Sequence, residues 1–115
     1  EEVAGEQAMK ERQRNQLFNG KTLKSRISAI RSMRNNTYHE LVPELLKLVA
    51  DASQPLELRA NTAECLGWFA HTPRRAEIID ACRQAAADKN LEKELRDELT
   101  QTAIRLESTV SVPTR

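Results

Sequence analysis

Thiols and imidazoles are the side chains most able to do chemistry here, and the chain has two of each: Cys65, Cys82, His39 and His71. A thiol beside an imidazole makes a nucleophile and its base. Two of each make a zinc-type donor set. The surroundings argue against both. Cys65 and Cys82 occupy interior positions of apolar helical stretches, where a free cysteine behaves as a small hydrophobe, and both histidines fall in turn segments. Two cysteines this far apart make neither a disulfide framework nor a zinc knuckle. Gly20-Lys21-Thr22 matches the end of a phosphate-binding loop, but Asn15 stands where that loop needs its first glycine, and no strand precedes it. The glycine reads instead as a helix stop. Glu92, Glu94, Asp97 and Glu98 are an acidic cluster in the first turns of a helix, where the macrodipole favours carboxylates. It reads as a solvated cap. No catalytic, cofactor-binding or metal-binding residue is assigned, so the chain reads as a non-enzyme.

Two further groups bear on binding. Between residues 10 and 34 stand Lys10, Arg12, Arg14, Lys21, Lys24, Arg26, Arg31 and Arg34, opposed only by Glu11, while the chain from Glu40 onward is net negative. Such a segment suits nucleic acid or an acidic protein. No aromatic is interleaved with it, however, and Lys24 and Arg31 also fit a solvated helix face. Trp68 and Phe69 are the only adjacent large rings. Inter-repeat core is the leading reading for them and contact with a partner the other. Asn35-Asn36-Thr37 matches a glycosylation sequon and reads as chance.

These residues need elements to hold them, and composition says which. The 115 residues suit one domain. Only 3% are aromatic against 39% hydrophobic in all, so the core must come from Leu, Ile, Val and Ala. Strong helix formers dominate and glycine is rare. The fold class is all-α. A net charge of +1 gives no overall field toward nucleic acid or membrane, and no apolar run approaches a membrane span. Glu1-Glu2-Val3 has neither the basic nor the apolar region of a signal peptide. The absence of an initiator Met suggests a processed product or a piece of a longer chain.

Apolar periodicity divides the chain into six helices. Residues 1–18 form a polar one, stopped by Asn19-Gly20 through a left-handed glycine. Lys21–Arg34 carries Leu23, Ile27 and Ile30 on one stripe. Glu40–Ala50 tolerates Pro43 only because it lies in the first turn. Pro55–Ala70, with Ser53 as its cap, is apolar on two sides and so must be sandwiched between neighbours. Arg75–Asp88, capped by Thr72, and Leu91–Glu107 follow. The tail 108–115 has no periodicity and is expected to be flexible.

Self-similarity is the most specific signal. Arg26, Ala29 and Met33 align with Arg59, Thr62 and Leu66 at an offset of 33, and the same offset carries Leu45 onto Ile78 and Val49 onto Cys82. A degenerate third copy begins at Arg96, with Leu99 and Ala103. Ser53-x-Pro55-x-x-Leu58-Arg59-x-x-Thr62-Ala63-x-x-Leu66-Gly67 resembles the first-helix pattern of the HEAT-like (armadillo-type) helical repeats. The first copy lacks the Pro and the third lacks the Gly. The resemblance implies an α-α superhelix: a capping helix over 1–20, repeats at 21–52, 53–90 and, partial, 91–107, and the tail 108–115. It also implies that Arg26, Arg59 and Arg96 bridge an acidic residue or helix end of the adjacent repeat.

In that family the second helices of successive hairpins line a concave binding face. On this chain the face would carry Glu40, Glu44, Lys47 and Asp51, then Glu77, Asp80, Gln84 and Asp88. The expected function is a non-catalytic scaffold that binds another protein, or another domain of its own chain, through this mostly acidic ridge. Nucleic-acid binding through Lys10, Arg12, Arg14, Lys21, Lys24, Arg31 and Arg34 is the alternative, and an accessory domain of a multidomain enzyme is a third. No cofactor is expected.

Overall fold

A computed structural model describes residues 2–110 of the chain. It has six α-helices: α1 (Glu2–Asn19), α2 (Leu23–Ser32), α3 (Val42–Ala50), α4 (Leu56–Leu66), α5 (Arg75–Ala86) and α6 (Lys93–Val110). A 3-10 turn at His39–Leu41 leads into α3, and there is no strand among the described residues. Helices α2 to α6 bury apolar residues of the stripes their sequences mark, while Ala8 and Met9 of α1 are exposed. Val42, Leu45, Leu48 and Val49 of α3 are buried, and each such side chain contributes about 1.5–3 kcal/mol relative to exposure. Helix α4, apolar on two sides, packs against α2, α3 and α6. Its buried set runs nearly all round, from Leu58 to Leu66.

The helices form two layers. Helices α2, α4 and α6 pack side by side in one, while α3 and α5 meet in the other, where α1 joins them through ion pairs to α3. The Cα extents of 44 × 44 × 17 Å fit that plan, the thin dimension being that of two stacked helices. The antiparallel partners differ from those the repeat grouping suggests. Extensive packing joins α1 to α2, α3 to α4 and α5 to α6, rather than α2 to α3 and α4 to α5. The connectors explain it. Residues 20–22, 51–55 and 87–92 are short links that fold a helix straight back, whereas 33–41, which includes the 3-10 turn, and 67–74 are longer.

Several local expectations are corrected. Residues 108–110, assigned to a tail, continue α6, and 111–115 lie outside the described residues. Helix α4 stops at Leu66, not Ala70, so Trp68 escapes the core at 47% exposure while Phe69 is buried. The core reading fails for that ring because the turn after α4 points Trp68 outward, against Glu64 and Arg105, and Phe69 inward. Thr72 accepts from the Arg74 N–H and Ser53 binds Asp51, so neither side chain caps the helix that follows. The cap that does form is Thr22, whose Oγ1 accepts from the Ser25 N–H at 3.0 Å and starts α2.

Gly20 does end α1, but not through a left-handed backbone, since no glycine has positive φ. A Cβ there would sit 2.5 Å from the Gln16 carbonyl oxygen and 3.0 Å from Arg26 Cγ. Clearance is what the position requires.

Candidate functional site

Arg26 and Arg59 place the two layers relative to each other. Arg26 Nε donates to the Leu17 carbonyl in the last turn of α1 at 2.7 Å, and its Nη2 donates to Gln54 Oε1 at 3.1 Å. Arg59 Nε donates to the Val49 carbonyl in the last turn of α3 at 2.8 Å, and its Nη1 lies 3.9 Å from Glu92. Helix C-terminal carbonyls lack partners inside their own helix and carry partial negative charge, so a guanidinium is a matched cap. No such bond marks Arg96, which is half-buried in α6.

With the layers fixed, the outer faces of α1, α3 and α5 form one surface, and its charges sort into engaged and unengaged groups. Arg14 grips Glu44 with Nε–Oε1 at 2.7 Å and Nη2–Oε2 at 2.9 Å, the two-pronged geometry that favours arginine. One turn earlier Lys10 reaches Glu40 at 3.7 Å. The hydrogen bond from Arg14 holds the Glu44 carboxyl below the usual carboxylate range and raises Arg14 in turn. Glu40 is also lowered, chiefly by its own backbone N–H and secondarily by Lys10. Two members of the acidic ridge are thus occupied by two members of the basic segment. The ridge residues without an ion pair among the described residues are Lys47, Asp51, Asp80, Gln84 and Asp88, all exposed. Asp51 is bonded within its own turn to Ser53, which keeps its carboxyl low, Asp80 accepts from Gln84 of the next turn, and Glu77 pairs with Arg74.

The basic segment is divided in the same way. Arg34 binds Glu64 at 2.7 Å and Arg26 is spent on the helix ends. Arg12, Lys21, Lys24 and Arg31 are exposed and have no carboxylate partner among the described residues. Arg31 shares a hollow with the paired Arg34, lined also by Glu64, Glu94 and Glu98.

Between α3 and α5 the outer layer opens. The cleft holds about 440 Å³. Leu46, Val49 and Ala50 form one wall and Ala81, Gln84 and Ala85 the other, with Leu95 and Leu99 of α6 at the base beside Arg59. A second hollow of about 320 Å³ lies between α1 and α3, edged by Phe18, Lys47, Asp51 and the Arg14–Glu44 pair. The periodicity of α3 and α5 gave the outward residues but not the gap, which arises because α5 leans on α6 more than on α3.

The nucleophile candidates are placed where they cannot react. Both cysteines are buried, and loss of solvent pushes Cys65 up to about 12 and Cys82 to about 11. Both are thiols at neutral pH. His39 and His71 are exposed, and no group of three or more His, Cys, Asp or Glu suited to a metal ion occurs among the described residues.

On the opposite face, Trp68 is held although exposed. Its Nε1 donates to Glu64 Oε2 at 3.1 Å and Arg105 stacks on its ring at 4.9 Å. Gly67 permits this, because a Cβ there would come within 2.8 Å of Arg105 Nη1. Glu98, nearby, has its carboxyl raised by burial and then by the Glu64 charge.

No protein-family model, curated protein or solved structure matches this chain.

Proposed function

We propose that the chain is a HEAT-like helical-repeat module, a short α-α superhelix, that binds another protein or another domain of its own chain without catalysing a reaction. The observation that carries the repeat reading is the duplicated arginine bond. At the 33-residue offset, Arg26 and Arg59 make the same Nε contact to the last turn of the preceding helix. Such duplication is what stacked copies of one unit produce. The binding face follows from it as the outer surface of α3 and α5, where Lys47, Asp51, Asp80, Gln84 and Asp88 stand exposed, Gln84 and Asp88 at the edge of an apolar cleft and Lys47 and Asp51 at the hollow beside it. A polar rim about an apolar centre is the general plan of a protein interface. The nucleic-acid reading is weaker on this geometry, since Lys10, Arg14 and Arg34 already serve carboxylates.

Charge reversal tests the face. Asp80→Lys with Gln84→Glu and Lys47→Glu changes the rim and leaves the Arg14–Glu44 pair intact. Partner capture is expected to fall at least ten-fold with the melting temperature unchanged. Capture equal to that of the parent chain would remove the face from consideration.

A further inference from the structure

We infer that the cleft between α3 and α5 is a binding site for a small aliphatic carboxylate, a ligand that goes beyond the protein-binding reading and does not depend on it. The inference starts from Arg59, a charged side chain only 5% exposed. Its Nε is used by the Val49 carbonyl, and its two terminal nitrogens make no hydrogen bond among the described residues. Their nearest carboxylate is Glu92, at 3.9 Å and with a side chain 55% exposed, well beyond the 2.7–2.9 Å of a formed charge-assisted bond. Asp51 acts on the guanidinium only through space, and Asp88 stands at the exposed edge of the cleft. The terminal nitrogens open onto the cleft, since they are not among the buried polar atoms left without a partner, and a guanidinium fork presented in this way is matched by a carboxylate, which accepts two parallel N–H bonds.

The rest of the cleft specifies what that carboxylate is attached to. Leu46, Val49, Ala85, Leu91, Leu95 and Leu99 give it apolar walls, and its volume of about 440 Å³ lies within the range of about 300–1,000 Å³ that holds one small molecule. An apolar body with one anionic end satisfies both features, because a carboxylate takes two parallel charge-assisted bonds from the fork, whereas a neutral oxygen accepts without that charge and a cation is repelled. Glu92 is then the competitor that the ligand displaces.

Octanoate is the probe. Titrated into the isotope-labelled chain, it is expected to give saturable shifts at the amides of Leu46, Ala85 and Leu95 and at the Arg59 Nε–H. Octan-1-ol and octyltrimethylammonium are expected to bind at least ten-fold more weakly. Glu92→Gln, which removes the competing charge, should tighten octanoate several-fold. Ala85→Trp, which fills the cleft from a half-buried position, should abolish the shifts; an unchanged amide spectrum elsewhere reports that this variant is folded. Equal binding of octanoate and octan-1-ol, shifts that fail to saturate, or shifts that survive Ala85→Trp would each overturn the assignment. Because the unmodified chain carries the head-group comparison, the result stands even if the Trp variant does not fold. Failure here leaves the rim-reversal test of the partner face untouched.

Discussion

Arg26 and Arg59 hold the two layers together by the same bond, each sending Nε to a carbonyl in the last turn of the helix before its own. The two differ in burial: Arg59 is in the core and Arg26 half-buried. Replacing either by Met keeps most of the aliphatic stem and deletes the donor. A hydrogen bond to a charged group contributes about 1.5–3 kcal/mol. Arg59→Met is expected near the upper end of that range and Arg26→Met near the lower, measured by urea unfolding. Equal and negligible losses would show that the duplicated bond has no structural role.

Helix α1 is docked largely by polar side chains, with Leu17 the one buried apolar residue among those of its side chains that are described. The Arg14–Glu44 pair is therefore expected to show favourable coupling in a double-mutant cycle, weakening as salt is raised because both side chains are partly exposed. The folded-state carboxyl of Glu44 is lowered, so its contribution is present above the ordinary carboxylate range and is lost as pH falls through the lowered value. Hydrogen exchange of α1 amides at pH 7 and pH 3 checks this. Faster exchange confined to α1 at the lower pH is the expected pattern, beyond the change in intrinsic rate.

Glu98 has the opposite sign. Its carboxyl is raised by burial and by Glu64, so the ionised form opposes folding at neutral pH, and stability is gained as pH falls through the raised value. Glu98→Gln should raise the melting temperature at pH 7 and leave it unchanged at pH 3. A variant less stable at both values would show that the carboxylate has a favourable role instead.

The two cysteines should resist alkylation. Raised to about 12 and about 11, Cys65 and Cys82 keep a thiolate fraction at neutral pH on the order of hundreds-fold or more below that of a free thiol with its pKa near 8.5. Labelling by iodoacetamide is expected only with global unfolding, in step with loss of helical circular dichroism. Rapid native-state labelling of either would contradict the burial.

Gly20 is the position least tolerant of a side chain. Alanine there would meet the Gln16 carbonyl at 2.5 Å, a backbone atom that cannot move without unwinding the end of α1. Gly20→Ala should cost about 1–3 kcal/mol, as overpacking does. Gly5→Ala is the control, with open space around it.

The sequence revealed the helices and their buried stripes because both follow from period and local propensity. The paired positions Met33 and Leu66, Leu45 and Ile78, and Val49 and Cys82 are all buried, as their 33-residue offset suggests. What it concealed depends on distance in the chain. Arg14 and Glu44, or Arg34 and Glu64, show no periodic relation that would announce a pair. Nor does an offset say on which neighbour a helix folds back, although the short connector at 20–22 carries that information. Trp68 was misread because α4 stops at Leu66, where a turn replaces the helix that would have carried the ring inward. The cleft between α3 and α5 is a gap between helices, and no local pattern encodes a gap.

Site-specific photocrosslinking in cells tests the binding face most directly. A crosslinker is placed at Gln84, on the outer face of α5, and separately at Asn61, half-buried on α4 in the other layer. Gln84 is expected to trap one discrete protein, or another segment of its own chain, and to lose it when Asp80→Lys is added, while Asn61 traps none. A partner trapped from Asn61 and not from Gln84 would contradict the assignment of the binding face to α3 and α5.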